Sequence, residues 1–229
     1  MLEIKRKTWD SDFFGFEVGE AHFDGIVKLD KNIKNKDNFK LIYLYSQNKI
    51  LDFNYDFIST RVEFEREIQT TELLNVSKSI ILAGPEELKS EKLKDLSLQS
   101  GAYSRFFCDK NFKNSEFEKL YYEWIKKSLI NIKEIDTFLY LVNNEIAGFI
   151  TLEKEKDVFT IGLLGVDRKN RGRGIGNALV EYCINESQKS KIGKLRVITQ
   201  GENYPAMTLY KKNKFEIKNY IYIYHLWNI

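Results

Sequence analysis

The stretch Asn170–Cys183, NRGRGIGNALVEYC, constrains this chain more than any other. Gly172, Gly174 and Gly176 alternate with Arg171, Arg173 and Ile175, and the text behind them turns amphipathic, with Ile175, Ala178, Leu179, Tyr182 and Cys183 at helical spacing. A strand that ends in such a loop at a helix N-terminus presents unpaired backbone N–H groups and a partial positive charge, which together favour an anion. The glycines let backbone approach closely and the arginines add charge. The same glycines would also serve a tight strand-to-helix turn that binds nothing.

Two anion-binding designs are excluded by spacing. Counting from Gly172, Asn177 stands where a dinucleotide fingerprint requires its third glycine, and no Gly-Lys-Ser/Thr follows as a P-loop requires. The strands before the loop also argue against both. TFLYLV, IAGFITLEKE and VFTIGLLGV are joined by short polar turns, the first at Asn143-Asn144, which makes an antiparallel meander rather than parallel βαβ units. After the loop come a helix, the strand KLRVITQ, a short helix opened by Pro205, and the strand FEIKNYIYIYHLW. The second half therefore reads β-β-β-α-β-α-β.

The first half is less clearly written. FKLIYLYSQ and RVEFEREI read as strands, the second alternating Val62, Phe64 and Ile68 with Glu63, Glu65 and Glu67. Pro85 after Gly84 predicts a helix running to a stop at Gly101, and NSEFEKLYYEWIKKSLIN predicts another from about Ser115. The stretch Gly25 to Asn38 is rich in Lys and Asn and indicates no ligand. A composition shift near Gly101 to Asn114 divides the chain into residues 1–104 and 105–229.

At 229 residues and 43% apolar, the chain can bury a substantial core, and its net charge of +3 is interleaved rather than blocked, so no nucleic-acid partner is implied. Cys108 and Cys183 show no metal or redox spacing, and His22 and His225 sit in no ligand pattern, so no metal is expected. No apolar run suits a signal peptide or membrane insertion, and a cytoplasmic location is expected.

The residues VDRKNRGRGIGNALVEYC resemble the signature of the GNAT superfamily of N-acetyltransferases, whose Arg/Gln-x-x-Gly-x-Gly/Ala pattern is met by Arg171, Gly174 and Gly176. TQGENYPAMTLYKKNKF is similar to that family's second signature, with Lys214 where Gly often precedes the Phe. The resemblance implies an α/β fold, a mixed and mainly antiparallel sheet flanked by helices. It also implies acetyl-CoA as co-substrate, its pyrophosphate held by amides from Arg171 through Gly172, Arg173, Gly174 and Ile175 to Gly176, with Leu164, Gly165 and Val166 along its arm. Asn203 corresponds to a coenzyme contact and Tyr210 to the general acid. KTWDSDFFGFEVGEAHF and YSRFFCDKNFKNSEFEKLYYEWIKKSLIN further resemble nucleotide-aminosugar N-acetyltransferases such as the dTDP-fucosamine enzymes, which join a smaller, incomplete GNAT-like N-terminal domain to a catalytic C-terminal one. That implies transfer of acetyl to the amine of a nucleotide sugar, dTDP-linked by preference, in surface polysaccharide synthesis.

Glu63 is the candidate base, on a strand expected to border the cleft, although a solvated acidic face would equally explain Glu63, Glu65 and Glu67. Arg105 is the candidate partner of the substrate diphosphate, against a surface or interdomain ion pair. Trp9, Asp10, Phe13 and Phe14 read as packing residues. Another amine as acceptor (a peptide N-terminus, a polyamine, an antibiotic), a coenzyme-binding module without turnover, and assembly as a homodimer all stay open.

Overall fold

The computed structural model describes residues 2–23, 36–69, 77–131 and 133–228. Most of the Lys/Asn-rich stretch from Gly25 lies outside the described residues. The meander forms as the turns predict: β6 (Ile135–Val142), β7 (Glu145–Lys154) and β8 (Phe159–Val166) pair antiparallel. Asn143 and Asn144, at φ of 52° and 64°, make the left-handed turn that suits the twist of the hairpin.

Around this nucleus the described residues build one ten-stranded sheet in the order β1-β2-β3-β10-β4-β9-β8-β7-β6-β5. The other strands are β1 (Lys5–Arg6), β2 (Val18–Phe23), β3 (Leu41–Ser46), β4 (Phe57–Glu67), β5 (Ile80–Ala83), β9 (Lys194–Gln200) and β10 (Glu216–Trp227). Only β2–β3 and β8–β9 pair parallel. The sheet is thus mixed and mainly antiparallel, as expected.

Among the described residues six α-helices flank it: α1 (Thr8–Phe14), α2 (Glu91–Ser100), α3 (Arg105–Cys108), α4 (Glu116–Ile130), α5 (Ile175–Lys189) and α6 (Tyr204–Lys212). The helix expected from Pro85 is interrupted. Pro85–Lys89 is a 3₁₀ turn, and the Oγ of Ser90 then accepts the Leu93 N–H to start α2 afresh. Gly101 ends α2 where expected.

Described elements from residues 1–104 and 105–229 share one sheet and pack against one another. Strand β4 lies between β9 and β10, and its Val62 and Phe64 enter the same core as Leu179 and Ile184 of α5. At the far edge β5 pairs with β6, and α2 packs on β8. Helix α4 spans both regions, with Leu120 and Tyr121 against Val18 and Tyr43, and Ile125 and Leu129 against Leu139 and Phe149.

The contact of α2 with β8 is backbone against backbone. A Cβ built on Gly165 would stand 2.8 Å from the Leu96 carbonyl oxygen and 2.6 Å from the Phe149 ring. Neither neighbour can swing away, so Gly165→Ala is expected to cost about 1–3 kcal/mol, read as a lower urea midpoint at unchanged slope.

Candidate active site

Strands β8 and β9 pair over only three positions, from Phe159↔Leu195 to Ile161↔Val197, and then diverge. In an antiparallel ladder alternate residues direct their N–H groups to either side. Beyond Ile161, those of β8 that point away from β7 have lost their strand partner. The opening leads into a cavity of about 1210 Å³, walled by Gly162–Val166 on one side and Ile198–Gln200 on the other.

At one end of the cavity is the glycine loop. Gly172 and Gly174 adopt φ of 76° and 81°, a region only glycine enters cheaply. Gly174 is the N-cap of α5 and carries no side chain to bond the first-turn amides. Those amides and the positive end of a 15-residue helix are therefore offered to a ligand. Asp167 fixes the loop's entry by accepting the Lys169 N–H at 2.8 Å and pairing with Lys92 of α2. Arg171 bonds the Val166 carbonyl at 3.0 Å.

Of the residues named from sequence, Leu164, Gly165, Val166, Arg171, Gly172, Gly174, Ile175, Gly176, Asn203, Tyr210 and Arg105 all line this one cavity. Arg173 is exposed and outside the lining. Asn203 caps α6, its Oδ1 accepting the Ala206 N–H at 3.2 Å. Tyr210 is buried against Phe64 and Phe215, and burial raises its phenol pKa, so it carries its proton at neutral pH.

Glu63 is not in the lining. Its carboxylate pairs with Arg196 at 3.0 Å, within a ladder in which Glu65 pairs with Lys194 at 3.2 Å. The carboxylate in the cavity wall near the fork is Glu153, on β7 opposite Thr160. It lies over Gly162, where an added Cβ would come within 3.1 Å of Glu153 Oε1, and burial raises its pKa despite nearby Lys127. Glu153 was illegible in sequence because it ends a strand in a charged run, LEKEKD, that reads as solvated turn.

The other end of the cavity belongs to the N-terminal region. Phe13 and Phe14 pack as expected, but Trp9 and Asp10 face the cavity. Trp9 is 54% exposed and stacked on Phe13 at 4.9 Å. Asp10 is 7% exposed, and its pKa is raised by burial against the pull of Lys7 and Arg105. Beneath them lies fully buried His225, bonded to Asp109 at 2.5 Å. Among the described residues no group of three or more His, Cys, Asp or Glu is placed to hold a metal ion, and no helix is long and apolar enough to cross a membrane.

A sheet forked between two parallel strands thus opens into a cavity with a glycine-opened helix N-terminus at one end and a protonated tyrosine in its wall. The profile of the Acetyltransferase (GNAT) family matches residues 101–215. The chain belongs to that family. It is 25% identical over 146 residues to the spore coat polysaccharide biosynthesis protein SpsD of Bacillus subtilis, a match covering 64% of this chain and half the length of that relative. A functionally unknown conserved protein of Staphylococcus epidermidis superposes with a TM-score of 0.63 at 11% identity, over 92% of this chain and 85% of that one. The PaiA N-acetyltransferase of Thermoplasma acidophilum, solved with coenzyme A, gives 0.53 at 18% identity, over 65% and 99%. These two structures share the fold.

Burial holds His225 neutral, with a pKa lowered to about 4 although the Asp109 bond raises it; Arg105 lowers it and Asp56 opposes that weakly. In the unfolded chain the imidazole takes a proton near 6.5. Stability is therefore expected to fall as pH drops from 6.5 to 4, by about 3 kcal/mol, and to change little from this group above 7. Urea denaturation at pH 7.5 and 4.5 checks this, with His225→Gln losing most of the difference.

Proposed function

We propose that this protein acetylates the amine of a nucleotide-activated amino-deoxysugar, with a dTDP-linked acceptor favoured. The observation that carries this reading is the charge of the cavity wall: Lys7, Arg61, Arg105, Lys127, Arg171 and Lys212 against only Asp10 and Glu153. Arg171 and Lys212 flank the glycine loop and α6 and serve the coenzyme end. Lys7 is already paired with Glu20 at 2.9 Å, but Arg61, Arg105 and Lys127 favour an acceptor that brings its own negative charge and disfavour a polyamine. Trp9 offers an indole face on which a base can stack. SpsD, named for polysaccharide biosynthesis, supports a sugar acceptor. In this reading residues 1–104, joined by Arg105 and Lys127, form the acceptor side of one cavity, and the glycine loop and α6 its coenzyme side.

Acetyl-CoA supplies an acetyl group activated as a thioester. Backbone amides from Arg171 to Gly176 hold its pyrophosphate, with Asn203 at the wall of the same end. The N–H groups of Leu164 and Val166, which point away from β7, polarise the carbonyl in the manner of an oxyanion hole. The acceptor nitrogen must be neutral to attack, and Glu153, rather than Glu63, takes its proton through water. The C–N bond forms, the C–S bond breaks, and Tyr210 gives its proton to the departing sulfur. Holding both substrates in one cavity supplies the orientation that makes a covalent enzyme intermediate unnecessary.

The test is free-thiol release from acetyl-CoA with a panel of nucleotide sugars. Release is expected with amine-bearing dTDP sugars and not with their hydroxyl analogues; release with peptides alone would replace this acceptor. Tyr210→Phe is expected to keep coenzyme affinity while losing about 10²–10⁴ in kcat, and an unchanged kcat removes Tyr210 from the reaction. Glu153→Gln is expected to lower kcat by about 10² or more and to erase the acidic limb of the pH profile. Glu63→Gln should stay within about twofold, since its partner is Arg196.

A further inference from the structure

Arg105 opens α3 through the cap of Ser104, whose Oγ accepts the Phe106 N–H. Its guanidinium lies 4.0 Å over the Tyr43 ring and 4.5 Å from that of Phe106, so aromatic surface fixes its plane. Among the described residues the one side chain within hydrogen-bonding distance is His225, with Nε2 3.4 Å from Arg105 Nη1.

What stands behind His225 determines which way that bond runs. Asp109 is 2% exposed, and its Oδ2 receives Nδ1 of His225 at 2.5 Å and Nε1–H of Trp227 at 2.9 Å, while Oδ1 accepts the Asn111 N–H at 3.0 Å. Burial works to raise the Asp109 pKa, but these donors outweigh it and hold the carboxylate ionised. An ionised carboxylate can only accept, so Nδ1 must carry the imidazole proton. The neutral ring then has a lone pair on Nε2, directed at the guanidinium.

We propose that Asp109 and His225 are positioning residues that preset Arg105 as the receptor for a phosphate group of the acceptor, an inference that rests on the acceptor reading above. Tyr43 and Phe106 set the plane of the guanidinium and His225 sets its rotation, so the remaining N–H groups face the cavity before any ligand arrives. A planar fork held this way meets two phosphate oxygens without losing further side-chain freedom. Asp10, on the same wall, offsets part of the charge. Arg61 of β4 lines the same cavity and supplies the second cation that a diphosphate needs.

Calorimetry with dTDP on the full chain saturated with coenzyme A, so that the glycine loop is already filled, tests the inference. The wild type is expected to bind dTDP, Arg105→Ala to lose tenfold or more in affinity, and Arg105→Lys to recover less than a third of it. His225→Phe should lose at least fivefold, and His225→Gln, whose Oε1 stands near the place of Nε2, should recover most of that. Coenzyme affinity should not move in any of them, whereas a merely structural role would weaken both ligands together. ¹⁵N NMR of the wild-type imidazole reads the tautomer without any variant, and a protonated Nε2 would overturn the assignment even if His225→Phe failed to fold. Equal dTDP affinity in Arg105→Ala, or no dTDP binding by the wild type, also overturns it. Thiol release with a dTDP aminosugar alongside dTDP affinity indifferent to Arg105 would sink this inference alone; absence of release would sink the acceptor reading.

Discussion

The parting of β8 from β9 is the constraint on which the rest of the structure depends. A sheet that stayed paired along its length would have no unpartnered amides in its middle and no interior to admit a thin, polar arm. Opening it costs the lost ladder, and the cost is met by packing on both sides of the fork. The α2 backbone presses on Gly165 from one direction. Thr151 takes the Leu163 N–H at 2.7 Å, closing a register shift in the β7–β8 ladder. On the other flank β4 pairs with β9 from Arg61 to Glu67, which holds β9 straight after it has left β8.

That last contact joins the two halves of the chain in one mechanical unit. The strand that braces the fork comes from the first 104 residues, and it carries Arg61 at the cavity wall on one face and Val62 and Phe64, the latter against Tyr210, on the other. Acceptor-side charge and the packing of the tyrosine are thereby set by neighbouring residues of the same strand. Helix α4 repeats the arrangement, with Trp124 and Lys127 in the wall while its apolar stripe spans two cores.

The parts of this architecture written locally were legible in the sequence. Asn143-Asn144 announced a hairpin, Pro205 and the glycine loop announced helix starts, and the spacing of Arg171, Gly174 and Gly176 marked the loop that lies at one end of the cavity. What escaped was set by partners far away in the chain. Glu63 and Glu153 are both acidic residues on strands, and nothing beside them in sequence distinguishes them. Arg196, 133 positions on, decides that Glu63 is in an ionic ladder, and the fork decides that Glu153 looks into the cavity. The role of His225 was equally hidden, because its meaning rests on Asp109 and Arg105, more than a hundred positions upstream.

Polar groups in the wall divide by how they are held, and the division follows what each end of the cavity must do. At the glycine-loop end, the wall is made of backbone amides and glycines, a design suited to a phosphate chain and one that tolerates no side chain in the way. At the opposite end, side chains are held by other buried side chains: Arg105 by His225, His225 by Asp109, Asp109 by Trp227. Every buried polar atom in that series has a partner, so the desolvation of the carboxylate and the imidazole is offset by bonds that also fix direction. Backbone recognition serves a ligand common to a whole family, while a chain of side chains can be rewritten residue by residue.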